Sequence, residues 1–212
     1  MHFTNPSASS PSWEGNTGFQ MGVWYKREIK SASDLKGLKI HMPGFGGEVM
    51  RRLGATPVSL PPSEILTALQ SGVIDATEFL GPSSDLAMGF HQVTKLYYAP
   101  GWHESNGTGE ALVNAAALAR LPEDLRAIVV HAIRAENALG LAEGEWMNAY
   151  QLRTLTEEHG VKLKQFPEDA LLAEFEDKGG VDAEVYRSFK AACAIMQPWS
   201  RTNEVLFLNA RV

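Results

Sequence analysis

The chain has 212 residues and a mass of 23.2 kDa, 44% hydrophobic and 21% charged, a composition that describes a soluble globular protein and excludes a disordered or fibrous one. Its 19 Lys and Arg against 25 Asp and Glu leave a formal charge of −6, so the broad positive field that phosphate backbones require is missing and no nucleic acid is expected as partner. No apolar run reaches the roughly 18 residues of a membrane span, and the single Cys193 excludes an internal disulfide and any cysteine-based zinc site.

Residues 1–18, MHFTNPSASSPSWEGNTG, are polar and rich in Ser and Pro, and they lack the basic start and apolar stretch of an export signal. They read as a loose lead-in, with the ordered chain starting near Phe19. From there short β-like and helical runs alternate. FQMGVWYK reads as a strand, SASDLKG as a capped turn, LKIHM as a strand and GGEVMRRLG as a short helix closed by Gly54. TPVSL is a strand, PSEILTALQSG a helix ended by Gly72, VIDATEF a strand and SSDLAMGFHQV a helix. This alternation is the signature of βαβ units and a mainly parallel sheet, so the fold class is α/β. On the first strand the alternation of Trp24 and Tyr25 sends one to the core and the other to the cleft or solvent.

The second half differs. After two β-like runs, KLYYAPGWHE and EALVN, apolar residues from Leu125 to Tyr150 recur at helical spacing. The predicted helix runs from Pro122, its N1 residue, to His159, with Glu123 and Asp124 on the positive end of its dipole and Gly160 as stop. At 1.5 Å per residue it measures about 57 Å, whereas a compact globule of this length is roughly 43 Å across. It therefore bends at Gly140 or Gly144, joins two lobes as a strut, or forms a dimer contact. VKLKQF returns as a strand, and a last helical region runs through VYRSFKAACAIM to VLFLNA.

Few stretches carry chemistry. The Gly-rich turn in MPGFGGEVM lacks the Lys-Ser/Thr of a P-loop and does not fit GxGxxG, so its default role is close packing of helix on sheet. His41 closes the strand before it, and Glu78 follows VIDAT; both stand at carboxyl ends of strands, where open parallel sheets hold ligands. GWHESNG sets Trp102, His103 and Glu104 side by side, an aromatic wall with polar groups as in small-ligand clefts. The six histidines show no metal-ligand spacing, and no nucleophile and base pair emerges.

The run EIKSASDLKGLKIHMPGFGGEVMRRLGATPVSLPPSEILTALQSGVIDATEF, then GFHQVTKLYYAPGWHE and WSRTNEVLFLNAR, closely resembles the substrate-binding proteins of tripartite ATP-independent periplasmic (TRAP) transporters, the DctP family. The nearest branch is the one binding 2-oxo acids, lactate and similar monocarboxylates. The resemblance extends from about Gln20 to Val212 and implies a periplasmic two-lobed receptor of type II-like architecture, not an enzyme, with a long strut helix and a partner permease in the membrane. It also implies that a first lobe and signal peptide precede the point matching Gln20 in relatives and are missing here. Residues 19–106 and 147–212 then form the ligand-binding lobe. Residues 107–146, a strand and helix segment that would pack on the first lobe, are left with an apolar face exposed or covered by a second copy in a homodimer.

By the same resemblance, Gln20 and Glu78 with the backbone carbonyl of Phe79 hold a cation, sodium or calcium, that bridges protein and ligand. Thr17, Trp102 and Glu104 lie near the ligand. Where the family has an Arg forked onto the ligand carboxylate, this chain has His41, which offers one directed donor and is charged only near or below a pKa of roughly 6.5. Carboxylate binding is then weaker or pH-dependent, or the ligand differs. The linker EFEDKGGVDAEV is shorter than in relatives. Two other functions compete: a truncated remnant or dimerising interaction module of the same fold, and an α/β enzyme acting on a phosphorylated substrate at the Gly-rich turn.

Overall fold

Two sheets and five α-helices organise residues 9–104 and 106–166, those the computed structural model describes, with side chains from residue 15 onward. In chain order these are β1 (Ser9–Phe19), β2 (Val23–Tyr25), a 3-10 turn (Ala32–Leu35), β3 (Lys39–His41), α1 (Gly44–Arg52), β4 (Thr56–Val58), α2 (Pro62–Ser71) and β5 (Ala76–Thr77). Then come α3 (Pro82–Met88), a second 3-10 turn (Phe90–Gln92), β6 (Leu96–Ala99), β7 (Asn106–Asn114), α4 (Ala115–Ala119), α5 (Glu123–Glu157) and β8 (Lys162–Gln165).

The main sheet has the order β4-β3-β5-β2-β6-β8. β3 pairs parallel to β4 and β5, and β6 parallel to β8, while β2 runs antiparallel to both β5 and β6. One reversed strand thus sits in the middle of an otherwise parallel sheet. Local signals set the helix ends: Pro62 opens α2, Gly72 closes it in the left-handed conformation at φ 81°, and Glu48 pairs with Arg51 and Arg52 one turn along α1. The Gly-rich turn is a packing device. A Cβ at Gly47 would collide with the Met42 carbonyl, and one at Gly46 would lie 2.9 Å from the Cβ of His103, so α1 settles directly against the strand end and the 102–104 loop.

The sheet is covered on both faces. Tyr25, Leu38, Ile40, Met50 and Trp102 build one core layer, and Trp24, Ile65, Leu69, Tyr97 and Leu155 the other. Trp24 and Tyr25 are both fully buried, on opposite faces; the expectation that one meets the cleft or solvent fails because helices cover a sheet built from parallel strands on both sides.

The amino terminus also differs from the sequence reading. Residues 9–18, assigned to the loose lead-in, form β1 together with Phe19, and β1 pairs antiparallel with β7 from Ser9 opposite Asn114 to Phe19 opposite Asn106. A ladder to a segment some ninety residues away offsets an ordering cost that local composition alone does not. Residues 1–8 and the last helical region, with the linker EFEDKGGVDAEV, lie outside the described residues.

α5 is one uninterrupted helix of 35 residues, about 52 Å long. Gly140 and Gly144 lie within it without interrupting it. Those glycines are where β1 crosses: a Cβ at Gly144 would stand 2.9 Å from the backbone of Thr17 and Gly18, and one at Gly140 3.4 Å from Asn16. Its carboxyl-terminal third carries the buried Asn148, Leu152 and Leu155 against the main lobe. Leu125, Ile128, Leu139, Trp146 and Tyr150 are exposed, as is Leu112 on β7. No helix among the described residues is long and apolar enough to cross a membrane.

Candidate functional site

β3 and β5 lie side by side and end together, and the Glu78 N–H donates to the His41 carbonyl at 3.1 Å. His41 and Glu78 thus leave the sheet at the same edge, both buried. The loop after β6 folds over that edge: His103 Nε2 lies 3.2 Å from Glu78 Oε2, with both side chains almost fully buried, and the His103 ring stands edge-on to Trp102 at 5.4 Å. Trp102 is 1% exposed and stacks on Phe166, so it belongs to the core as well as to the wall of the site. Glu104 sits at the exposed rim. Partial desolvation raises its carboxyl pKa, His103 opposing and Glu78 adding to the shift.

The segment entering β2 forms the other side. The Gly101 N–H donates to the Gln20 carbonyl at 3.3 Å, the Met21 N–H to the Leu80 carbonyl at 3.2 Å, and a Cβ at Gly101 would touch the carbonyls of Gln20, Met21 and Glu104. Thr17 Oγ1 accepts from the Gly107 N–H at 2.8 Å, and a Cβ at Gly107 would approach Gln20 Nε2 to 3.5 Å. Gln20 is 1% exposed, yet its Oε1 and Nε2 have no hydrogen-bond partner among the described residues. Two unsatisfied amide atoms cost about 1–3 kcal/mol each when nothing pairs them, so they call for a group from outside. Amide oxygen, carboxylate and backbone carbonyl form the donor set of a hard cation. Among the described residues no cluster of three His, Cys, Asp or Glu suits a transition metal.

His41 is more constrained than its position in the sequence suggests. Its Nδ1 accepts the Leu60 N–H at 3.1 Å. A backbone N–H can only donate, so the imidazole is neutral with its proton on Nε2. Burial holds its pKa below the ordinary histidine range, Glu78 opposing the shift. It therefore presents a single uncharged donor, and the pH dependence expected near 6.5 moves downward.

Three residues hold the site in shape, and two of them, Asp85 and Asn148, are absent from the sequence reading of the site. His103 anchors Glu78, Asp85 ties the loop after β5 to the core, and Asn148 of α5 gathers three segments. Asn148 Nδ2 donates to the carbonyls of Thr17 at 2.9 Å and Phe19 at 3.1 Å, while its Oδ1 accepts the Ser83 N–H at 3.1 Å. An Asn on the stripe Asn148, Leu152, Leu155 was a legible signal, being a polar residue at core spacing. Asp85 gave none, because an acidic residue in a first helical turn ordinarily complements the dipole.

Residues 11–188 match the model of bacterial extracellular solute-binding protein family 7, DctP. The chain is 40% identical over 205 residues to a monocarboxylate 2-oxoacid-binding periplasmic protein of Nostoc sp., covering 92% of this chain and 56% of that one. It is similar to two solved TRAP periplasmic solute-binding proteins. One, from Pseudoalteromonas atlantica with bound sodium and pyruvate, is 37% identical with a TM-score of 0.66, and the other, from Colwellia psychrerythraea with bound calcium and pyruvate, is 38% identical with a TM-score of 0.69. Each match covers 95% of this chain and 64% of the solved one. The chain thus spans somewhat more than half the length of these relatives, in an arrangement where a mainly parallel sheet, a single reversed strand and one long helix carry the polar groups at one sheet edge; it belongs to the DctP family of TRAP-type extracellular solute-binding proteins.

Proposed function

We propose that this chain supplies one wall of a receptor that captures a small 2-oxo or 2-hydroxy monocarboxylate together with sodium or calcium, in the periplasm, for delivery to a TRAP permease. It performs no chemistry on its guest. Gln20 and Glu78, with the carbonyl of Phe79, would hold the cation, which supplies the positive charge the organic anion needs. His41 donates its Nε2 proton to the ligand carboxylate, Trp102 walls the pocket, and Thr17 and Glu104 line its approach.

The observation that carries this reading is that the Gln20 amide is buried with no hydrogen-bond partner among the described residues, on a segment whose Met21 N–H bonds the Leu80 carbonyl two residues beyond the buried Glu78. Among the described residues no Lys or Arg pairs with Glu78, whose polar neighbour is the His103 ring, so an anion entering alone would meet the carboxylate with no permanent positive charge to offset it. Cation and acid therefore bind together. Isothermal titration with pyruvate, lactate and other 2-oxo and 2-hydroxy acids tests this, with and without sodium or calcium, on the chain joined to a relative's first lobe. Uptake of pyruvate that ignores both cations, or no uptake of any such acid, rejects it.

A second reading rests on the exposed apolar residues of α5 and β7. In it the chain acts as an interaction module that dimerises through the long helix. Sedimentation of the 212-residue chain separates the readings, since a concentration-dependent dimer that takes up no pyruvate favours the second.

A further inference from the structure

The loop after β5 carries the Phe79 carbonyl, and the Phe79–Leu80 peptide is pinned from one side. Asp85 Oδ1 accepts the Leu80 N–H at 3.2 Å. In a planar trans peptide the N–H and C=O point in opposite directions, so a hydrogen held toward Asp85 turns the Phe79 carbonyl oxygen away from α3. The next carbonyl, that of Leu80, is taken by the Met21 N–H. The Phe79 oxygen accepts no hydrogen bond from the described residues. It is the one acceptor of this turn left open.

Asp85 is itself held from the core. Its Oδ2 accepts both Trp24 Nε1, at 2.8 Å, and the Tyr97 hydroxyl, and the two rings stack at 3.9 Å as direct partners across β2 and β6. The two oxygens of the carboxylate therefore divide their work, one facing the aromatic core and one the peptide. An ionised acceptor on the N–H also polarises the peptide and makes its carbonyl oxygen a stronger donor to a cation.

We propose that Asp85 is a positioning residue for cation capture, fixing and polarising the Phe79–Leu80 peptide so that the Phe79 oxygen faces the Gln20 and Glu78 side chains. The inference rests on the cation site under the proposed function and adds the device that orients one of its ligands. It is tested by titrating the full chain with terbium, a hard oxygen-seeking probe of calcium sites whose emission is sensitised by nearby tryptophan. Asp85→Ala, verified as folded by near-ultraviolet circular dichroism, is expected to weaken terbium binding about tenfold or more, as removal of a charge-assisted hydrogen bond predicts. Tyr97→Phe leaves the Leu80 bond in place and is expected to remain within about threefold of wild type.

Equal affinity of Asp85→Ala and wild type overturns the proposal, as does an equal loss in both variants that merely follows their stability. An NMR titration of wild type with calcium removes dependence on any variant. The Leu80 amide should be protected from exchange before calcium is added and should shift as calcium binds at Glu78, and an unmoved Leu80 resonance alongside a moving Glu78 overturns the role. A wild type that takes up neither cation overturns the site reading itself and this inference with it.

Discussion

Asn148→Ala is the sharpest test of how α5 supports the site. The substitution removes three hydrogen bonds, to the Thr17 and Phe19 carbonyls and from the Ser83 N–H, at a side chain 2% exposed. A neutral hydrogen bond contributes about 1 kcal/mol net, and a buried partner left without one costs about 1–3 kcal/mol. The Thr17 carbonyl is only partly buried and can turn to water, whereas Phe19 O lies deeper. The expected loss is therefore about 3–4 kcal/mol, a large part of the 5–15 kcal/mol by which domains are ordinarily stable. In urea, with a slope of about 2 kcal/mol/M, the midpoint should fall by roughly 1.5–2 M. Because Phe19 immediately precedes Gln20, weaker pyruvate uptake should accompany the loss. A change below about 1 kcal/mol would refute the view that this side chain ties β1, the first turn of α3 and the long helix into one unit.

His41→Arg gives the ligand carboxylate a permanent charge and a second donor, and pyruvate affinity at pH 7.5 should rise about tenfold by calorimetry; unchanged or weaker binding would place position 41 away from the anion. Asp85 makes a pH prediction whose sign is opposite to that of a surface carboxylate. Burial pushes its pKa up to about 6 against the pull of Tyr97, Trp24 and the Leu80 N–H. The folded state thus holds its proton more tightly than the unfolded one, and Asp85 contributes stability below about pH 4 that is lost as pH rises through about 6, amounting to at most about 3 kcal/mol. Denaturation of wild type against Asp85→Asn from pH 4 to 7 reads this as a difference that changes with pH, and a constant difference sinks it. Finally, Gly144→Ala should destabilise by about 1–3 kcal/mol through collision with the Gly18 backbone, while Gly140→Ala, at 3.4 Å from Asn16, should be neutral or gain up to about 1 kcal/mol of helix propensity. Equal effects at the two glycines would contradict the packing assigned to them.

Much of the fold was legible from local pattern. Pro62 and Gly72 bracket α2, the apolar spacing from Leu125 onward yields α5 within about two residues at each end, and the alternation of short elements implies the parallel sheet. These features depend on neighbours within a turn or a strand, where sequence acts directly. The reversed β2, the double burial of Trp24 and Tyr25, and the conversion of residues 9–18 from lead-in to strand depend on partners far along the chain, as when Ser9 meets Asn114.

The site divides the same way. That His41 and Glu78 close strands was readable from the sequence, because a strand's end is local. Which tautomer His41 holds was decided by Leu60, what faces Glu78 by His103, and how the Phe79–Leu80 peptide is turned by Asp85 and two aromatic residues on neighbouring strands. Composition and periodicity specify which groups are available. Protonation and the direction of a carbonyl follow from hydrogen bonds that exist only after distant segments have been brought together.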